Sequence, residues 1–296
     1  MTSLPTTTVC LSDSPGGPGS QPSTPPQEDE LQLSSEELQP KFGPQRRRPL
    51  TSLMLSNLAD PSWCWFLLVG VAMTALSAFG NTERYLDGVE ASDQEAVNEA
   101  GLLFLRLGFA LLVFVAMWGA TRVTAEFRNV TVAPSAAACG GLGRLMAHHA
   151  LAVVPGGFLF GVAGLFAGAA PGYVALRQQG MTVTPDGEFA RTAVGIVLVS
   201  ALAAPWGTCF GWFLRRTLPA VVVLVGWTMV LETVFINWIP ERVGRFLPAN
   251  LQNSLTLDRV AFGDIGQPAA AALLLAWIIV LDVVAFLWMR SRDLSA

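Results

Sequence analysis

Six long apolar runs follow one another along this chain after residue 60. A helix needs about 20 mostly apolar residues to cross the hydrocarbon core of a bilayer. The runs are Pro61–Gly80, Gly101–Gly119, Ala150–Ala170, Thr192–Leu214, Pro219–Trp238 and Pro268–Met289. A large soluble helical protein is the alternative, but six buried helices in a row would leave it little polar surface. The pattern therefore predicts an all-α membrane protein with six transmembrane helices.

The first 49 residues have a different character. They are rich in Pro, Ser, Gln, Thr and Gly, and the stretch Glu28–Glu37 is acidic. Such a segment buries too little apolar surface to offset its ordering entropy, so we predict a disordered tail over residues 1–49. A short interfacial helix over Leu50–Leu58 would then begin a membrane domain that covers residues 50–296.

Basic residues indicate the orientation of the helices, because Lys and Arg are enriched in cytoplasmic loops. Arg46–Arg48 precede the first run, Arg215 and Arg216 separate the fourth from the fifth, and Arg290 and Arg292 follow the sixth. Residues 81–100, between the first two runs, contain six acidic residues and one arginine. We therefore predict a multi-pass plasma-membrane protein whose N- and C-termini are both cytoplasmic.

Composition narrows the possible chemistry. Hydrophobic residues make up 52% of the chain and charged residues 14%, and the net charge of −4 does not favour a nucleic-acid partner. The four cysteines lack metal-ligand spacing and none is expected in an exported loop, so neither a metal site nor a disulfide framework is predicted. The glycine-rich stretch Cys139–Arg144 lacks the Gly-Lys-Ser/Thr ending of a phosphate-binding loop. We expect no enzyme activity and no cofactor in this chain.

Three ionisable residues fall inside the apolar runs, where charge is costly and often functional. Arg106 and Glu232 lie at similar predicted depths, on the second and fifth runs, and have opposite charges, so they could pair. Snorkelling of Arg106 to the head groups is the alternative. Asp282 lies near the cytoplasmic end of the sixth run, where we expect it to face the bundle or to hydrogen-bond a neighbouring helix.

Small residues recur at the spacing that allows close contact between membrane helices. The pairs are Gly157 with Gly161, Gly164 with Gly168, and Gly207 with Gly211. Two pairs in the third run predict that this helix is a packing hub. Contacts within one chain and a seam between two copies are both compatible with the pattern.

Two stretches resemble a known family. The first contains Thr124, Glu126-Phe127-Arg128, Thr131 and then Arg144, and the second runs from Gly211-Trp-Phe-Leu-Arg215 through Pro219-Ala220 and Glu232 to Leu247-Pro248. Their order and placement resemble the permease subunits of bacterial ABC-2 type exporters, over about residues 50–296. The resemblance implies a membrane subunit that binds a separate ATPase subunit, which holds the ATP, and a second permease as a homodimer or heterodimer.

The resemblance also suggests where the ATPase would dock. The predicted cytoplasmic loop 121–149 is the longest between two runs, and it carries Glu126, Phe127, Arg128 and Arg144. An aromatic side chain flanked by charges suits insertion into a groove of a partner. The alternative is a solvated loop whose arginines bind anionic lipid.

The aromatic and aliphatic side chains of the runs suit a lipophilic substrate such as a drug, an antibiotic or a lipid. Two other functions remain open from the residues alone. One is an ion- or proton-coupled secondary transporter in which Glu232 or Asp282 titrates. The other is a membrane scaffold or sensor that transports nothing.

Overall fold

A computed structural model describes residues 50–228, 234, 238–258 and 265–293 of the chain. Within these ranges all regular secondary structure is helical, and a 3-10 segment, Leu107–Leu111, joins the fourth helix to the fifth. The α-helices are α1 (Leu50–Ala59), α2 (Pro61–Gly80), α3 (Thr82–Leu86), α4 (Gln94–Arg106), α5 (Leu112–Arg128), α6 (Val132–Cys139), α7 (Leu142–Gln178), α8 (Gly187–Leu214), α9 (Thr217–Gly226), α10 (Glu241–Gly244), α11 (Pro248–Leu255) and α12 (Gln267–Asp293).

Five helical segments in the described ranges are long and apolar enough to cross a membrane. They correspond to the first, second, third, fourth and sixth apolar runs of the sequence. The all-helical class is therefore confirmed for the described residues, and the five long apolar helices indicate a multi-pass membrane protein. They are α2, α4 to α5 across the 3-10 segment (Gln94–Arg128), α7, α8 and α12 (Gln267–Ser291). Three of them follow an aspartate at the N-cap position. Aspartate is favoured there because its carboxylate accepts hydrogen bonds from the free N–H groups of the first turn. Asp60, Asp93 and Asp186 each accept hydrogen bonds from backbone N–H groups in the first turn.

Several helices extend beyond their apolar runs. The helix α7 has 37 residues and is about 55 Å long, whereas the third run, Ala150–Ala170, was only long enough for the hydrocarbon core. The predicted loop 121–149 is therefore mostly helical, since α5 continues to Arg128, α6 follows, and α7 starts at Leu142. The short helix expected over Leu50–Leu58 is present as α1.

The two ends of the bundle differ in charge. We call "basic end" the end at which α5 and α8 finish and α7 and α9 begin, and "acidic end" the opposite one. Among the described residues, the basic end carries Arg122, Arg128, Arg144, Arg215, Arg216 and Arg290, together with Asp60 and Glu126. The acidic end carries Glu83, Asp87, Glu90, Asp93, Glu95, Glu99, Asp186 and Glu188, together with Arg84, Arg106, Arg177 and Arg191.

The fifth apolar run lies partly outside the described residues. Its described part is mainly α9, a ten-residue helix that starts at the basic end, where Thr217 lies 2.8 Å from Thr124 between hydroxyl oxygens. Because α8 finishes at the basic end and α12 begins at the acidic end, the intervening chain has to return from one end to the other. Neither α9 nor α11 is long enough to make that crossing alone, so the count of six spans stays a prediction.

The segment before α12 enters the bundle, although the sequence placed it in an outer loop. The Gln267 amide donates to the Leu255 carbonyl at 2.7 Å, and the Trp277 indole donates to the Phe246 carbonyl at 3.0 Å. Ten residues separate these two donors on α12, which is about 15 Å along the helix axis. Residues 246–255 therefore run alongside α12 as a re-entrant segment. Such backbone is tolerated at membrane depth only where protein surrounds it.

The helices α5, α7 and α8 pack with their backbones in contact, and we call this contact the glycine seam. A Cβ added to Gly157 would lie 2.7 Å from the Ser200 carbonyl oxygen, and one added to Gly207 would overlap the Ala116 carbonyl oxygen outright. Gly164 faces Gly108 in the 3-10 segment in the same way. All three glycine pairs found in the sequence are thus used inside one chain, and α7 is the expected hub.

Gly207→Ala tests the glycine seam. Alanine favours a helix by about 1 kcal/mol over glycine, but the overlap with Ala116 forces α5 and α8 apart, and overpacking costs about 1–3 kcal/mol or more. We expect a lower midpoint of thermal unfolding in detergent. Gly80→Ala is the control, since its Cβ would have no neighbour within 4 Å. Equal stability of Gly207→Ala and the wild type would contradict the seam.

Candidate functional site

Five side chains form a contact network at the basic end, which we call the basic-end cluster: Glu126, Phe127, His149, Trp212 and Arg215. Trp212 is fully buried and receives the edges of two rings, Phe127 at 5.6 Å and His149 at 5.8 Å between centroids. The Arg215 guanidinium lies 5.8 Å from the centre of the Phe127 ring, within the range of a cation–π contact. The cluster ties the ends of α5 and α8 to the start of α7.

The Glu126 carboxylate holds α6 against the end of α5. It accepts hydrogen bonds from the Thr131 hydroxyl and, at 3.1 Å, from the Ser135 hydroxyl. The His149 Nε2 lies 3.7 Å from the other carboxylate oxygen. Val130 has φ of 57°, a left-handed conformation that turns the chain sharply between α5 and α6. The short helix α6 is therefore fixed in direction rather than loosely tethered.

The four docking candidates from the sequence divide into two groups. Glu126 and Phe127 are half-buried and make the internal contacts just described, whereas Arg128 and Arg144 are exposed. In the structure Gly140, with φ of 79°, and Gly141, with φ of 130°, form the turn from α6 to α7. The two exposed arginines thus flank α6, one before it and one after it. Their role in docking stays a prediction.

Arg122 is a site residue that the sequence analysis did not single out. Its Nε donates to the Asn57 side-chain oxygen at 2.9 Å and its Nη1 donates to the Asp60 carboxylate. Partial burial acts to raise the pKa of Asp60, but the hydrogen bonds from Ser62 and Arg122 outweigh it and lower that pKa below its usual value. The sequence signal for this contact was Asp60-Pro61, a typical helix start; the Asp60 carboxylate contacts Arg122 in the second half of α5.

Arg106 lies where α4 meets the 3-10 segment and binds the end of the re-entrant segment. Its Nη2 donates to the Leu257 carbonyl at 2.7 Å, and the same atom lies 3.6 Å from the Glu188 carboxylate. Leu257 has φ of 55°, so the arginine stabilises a left-handed turn beyond α11. Glu232, the partner suggested by the sequence, lies outside the described residues, and that pairing stays a prediction.

Asp282 is half-buried on α12 and faces α8. Its carboxylate accepts a hydrogen bond from the Cys209 thiol at 3.3 Å. This contact lies on the buried stripe of α12, between Ile278 and Ala285. A carboxyl group at this depth needs a donor or a proton, and among the described hydrogen bonds the thiol is its donor.

The described residues contain no group of three or more His, Cys, Asp or Glu side chains that could hold a metal ion. Comparison with protein-family models, with curated proteins and with solved structures gives no match. The described residues form an all-helical fold, and its five long apolar helices indicate the class of multi-pass membrane proteins. Its basic end presents a fixed short helix between two exposed arginines.

Asp60→Asn tests the link between Arg122 and the start of α2. Because the folded-state pKa of Asp60 is lowered, its stabilisation is present above the pKa of the unfolded chain and is lost as the pH falls through the folded-state value. We expect the variant to lose roughly 1 kcal/mol at pH 7, as for a part-buried ion pair with a charge-assisted hydrogen bond. The free energy of unfolding should differ between the variant and the wild type at pH 7, and this difference should vanish in acid. Glu99→Gln, at an exposed acid on α4, should lose less; an equal loss would contradict the link.

Double-mutant cycles distinguish the two possible partners of Arg106. The measured quantity is the free energy of unfolding. Arg106→Met combined with Glu188→Gln should show a coupling energy of no more than about 1 kcal/mol, since Glu188 is 45% exposed. The same cycle with Glu232→Gln measures the pairing expected from the sequence. A coupling near zero with Glu232 would refute that pairing. If Arg106→Met alone left the free energy of unfolding unchanged, the hydrogen bond from Arg106 to the Leu257 carbonyl would not stabilise the fold.

Proposed function

We propose that this chain is the transmembrane (permease) subunit of an ATP-driven ABC exporter in a bacterial plasma membrane. It works with separate ATPase subunits and a second permease, and it moves a lipophilic substrate outwards. The observation that carries the proposal is the short helix α6, fixed at the basic end between two spans and flanked by the exposed Arg128 and Arg144. The resemblance of residues 124–144 to ABC-2 permeases concerns this same region.

The charge of the two ends supports the orientation that the proposal needs. The basic end carries more arginines than acids and the acidic end more acids than arginines, and Lys and Arg favour the cytoplasmic side. The face formed by α6 is then cytoplasmic, where an ATPase is found. The sequence shows no phosphate-binding loop, so in this proposal a partner protein supplies the energy.

The basic-end cluster gives a route for that energy. Glu126 joins α6 to α5, and Trp212 joins both to α8 and, through His149, to α7. A push on α6 by a closing ATPase pair is therefore passed to three spans at once. Because those spans meet at the glycine seam, they respond as one body rather than bending separately.

The docking proposal predicts the effect of reversing both exposed arginines. Arg128→Glu with Arg144→Glu should abolish co-purification with the ATPase subunit that this proposal requires and reduce substrate-stimulated ATP hydrolysis at least tenfold. Interfaces that rely on charge for orientation respond in this way. Thermal unfolding should be unchanged, since neither side chain is buried.

Arg84→Glu with Arg177→Glu is the matched control, because both arginines are exposed at the acidic end. This pair should leave the complex intact. If the control disrupts the complex as strongly, or if the basic-end pair has no effect, α6 is not the docking element.

A proton-coupled secondary transporter is the second candidate function, and the contact between Asp282 and Cys209 inside the bundle favours it. Vesicle transport separates the two candidates. Uptake driven by a pH gradient without any ATPase, and lost in Asp282→Asn, would support this second function against the first.

A further inference from the structure

A cavity of about 460 Å³ lies between α8, α9, α12 and the residues that lead into α11. Its described wall includes Trp206, Phe210 and Phe213 on α8, Trp227 just after α9, and Trp277 and Leu281 on α12. The volume is within the usual range of small-molecule sites, about 300–1,000 Å³. The basic-end cluster and the Asp282 contact take no part in it.

The described part of the cavity wall is apolar. No polar atom of the described residues contributes to its wall. The indole N–H of Trp277 is already used, because it donates to the Phe246 carbonyl of the re-entrant segment at 3.0 Å. A ligand group with its own donors or acceptors would lose its bonds to water here and gain none in exchange.

The aromatic walls are braced against one another. The rings of Trp206 and Phe210 lie 5.8 Å apart, and Phe210 and Trp227 lie 6.4 Å apart, at interplanar angles of 55° and 59°. Aromatic pairs at such distances attract one another beyond the burial of their area. These contacts favour the observed orientation of the rings, in which the cavity is open.

Its depth places the cavity within the apolar part of the bundle. Trp277 and Leu281 lie ten and fourteen residues along α12 from Gln267, which is about 15 and 21 Å from its start at the acidic end. A molecule that reaches the cavity has left water.

We propose that this cavity binds the unsubstituted apolar part of the exported molecule, an aromatic ring system or a hydrocarbon chain. As far as the occupant is the exported molecule, this inference rests on the proposed function; the binding itself does not need the ATPase. A bilayer acyl chain offers the same chemistry, so the test has to distinguish the two sources.

Photolabelling of the full chain in nanodiscs, without any ATPase, provides that test. One probe is a small neutral aryl diazirine, and the other is phosphatidylcholine with a diazirine on its acyl chain, with labelled residues mapped by mass spectrometry. We expect the aryl probe to label the wall residues Trp206, Phe210, Phe213, Trp277 and Leu281 saturably and to be displaced by excess naphthalene. The lipid probe should label only exposed positions such as Val280 and Val222.

Leu281→Trp fills the cavity from α12 and should lower saturable labelling at least tenfold. Val280→Trp is its control, since Val280 is exposed on the neighbouring face of the same helix. Val223→Trp fills the cavity from α9, with Val222→Trp as control, in case the first variant is unstable.

Three results would overturn the proposal. Labelling that is unchanged in both filled variants would place the probe elsewhere. Absence of labelling in the wild type would mean that the chain itself fills the cavity. Saturable labelling of its wall by the lipid probe would assign it to a bilayer acyl chain. None of these results bears on docking, which co-purification with the ATPase tests separately.

Discussion

Direct backbone contact between α5, α7 and α8 is the constraint on which the rest of the structure depends. In a bilayer the hydrophobic effect gives helices little reason to associate, because lipid tails are as apolar as their side chains. Close approach has to supply the attraction instead, and glycine permits it at Gly157 against Ser200 and at Gly207 against Ala116. With these three spans fixed, α2 and α12 can remain largely exposed to lipid. The fixed spans also bring together the side chains that form the basic-end cluster and the contacts of Arg106.

Apolar length and glycine spacing were sufficient to predict most of the bundle from sequence. The bounds of α2 coincide with those of the first run because Asp60 and Pro61 mark a helix start. The extension of α7 was missed because residues near the head groups are mixed in polarity and carry no length signal. The re-entrant segment reads as a loop, since Pro240, Pro248 and nearby amides are typical of turns; only packing against α8 and α12 makes it a buried element.

Partners of individual side chains were predictable only in part. Depth and charge pointed from Arg106 to Glu232, which lies outside the described residues, so that pairing stays a prediction. The contacts of the guanidinium with Leu257 and Glu188 were not foreseen, because the sequence does not show that a turn beyond α11 offers a carbonyl at that level. Residue type pointed to Phe127 as exposed, yet Trp212 lies within reach and covers its ring. A sequence gives the chemistry of a side chain, whereas the direction in which it points depends on helix rotation.

The glycine seam also limits how this molecule can change shape. Where two backbones touch, no side chain lies between them that could adopt another rotamer, so gradual repacking is not available at that contact. Any large rearrangement has to slide or rotate α5, α7 and α8 together, in the manner of a shear between rigid blocks. The peripheral helices, with lipid on one side and side chains on the other, are then the surfaces along which such a block can travel.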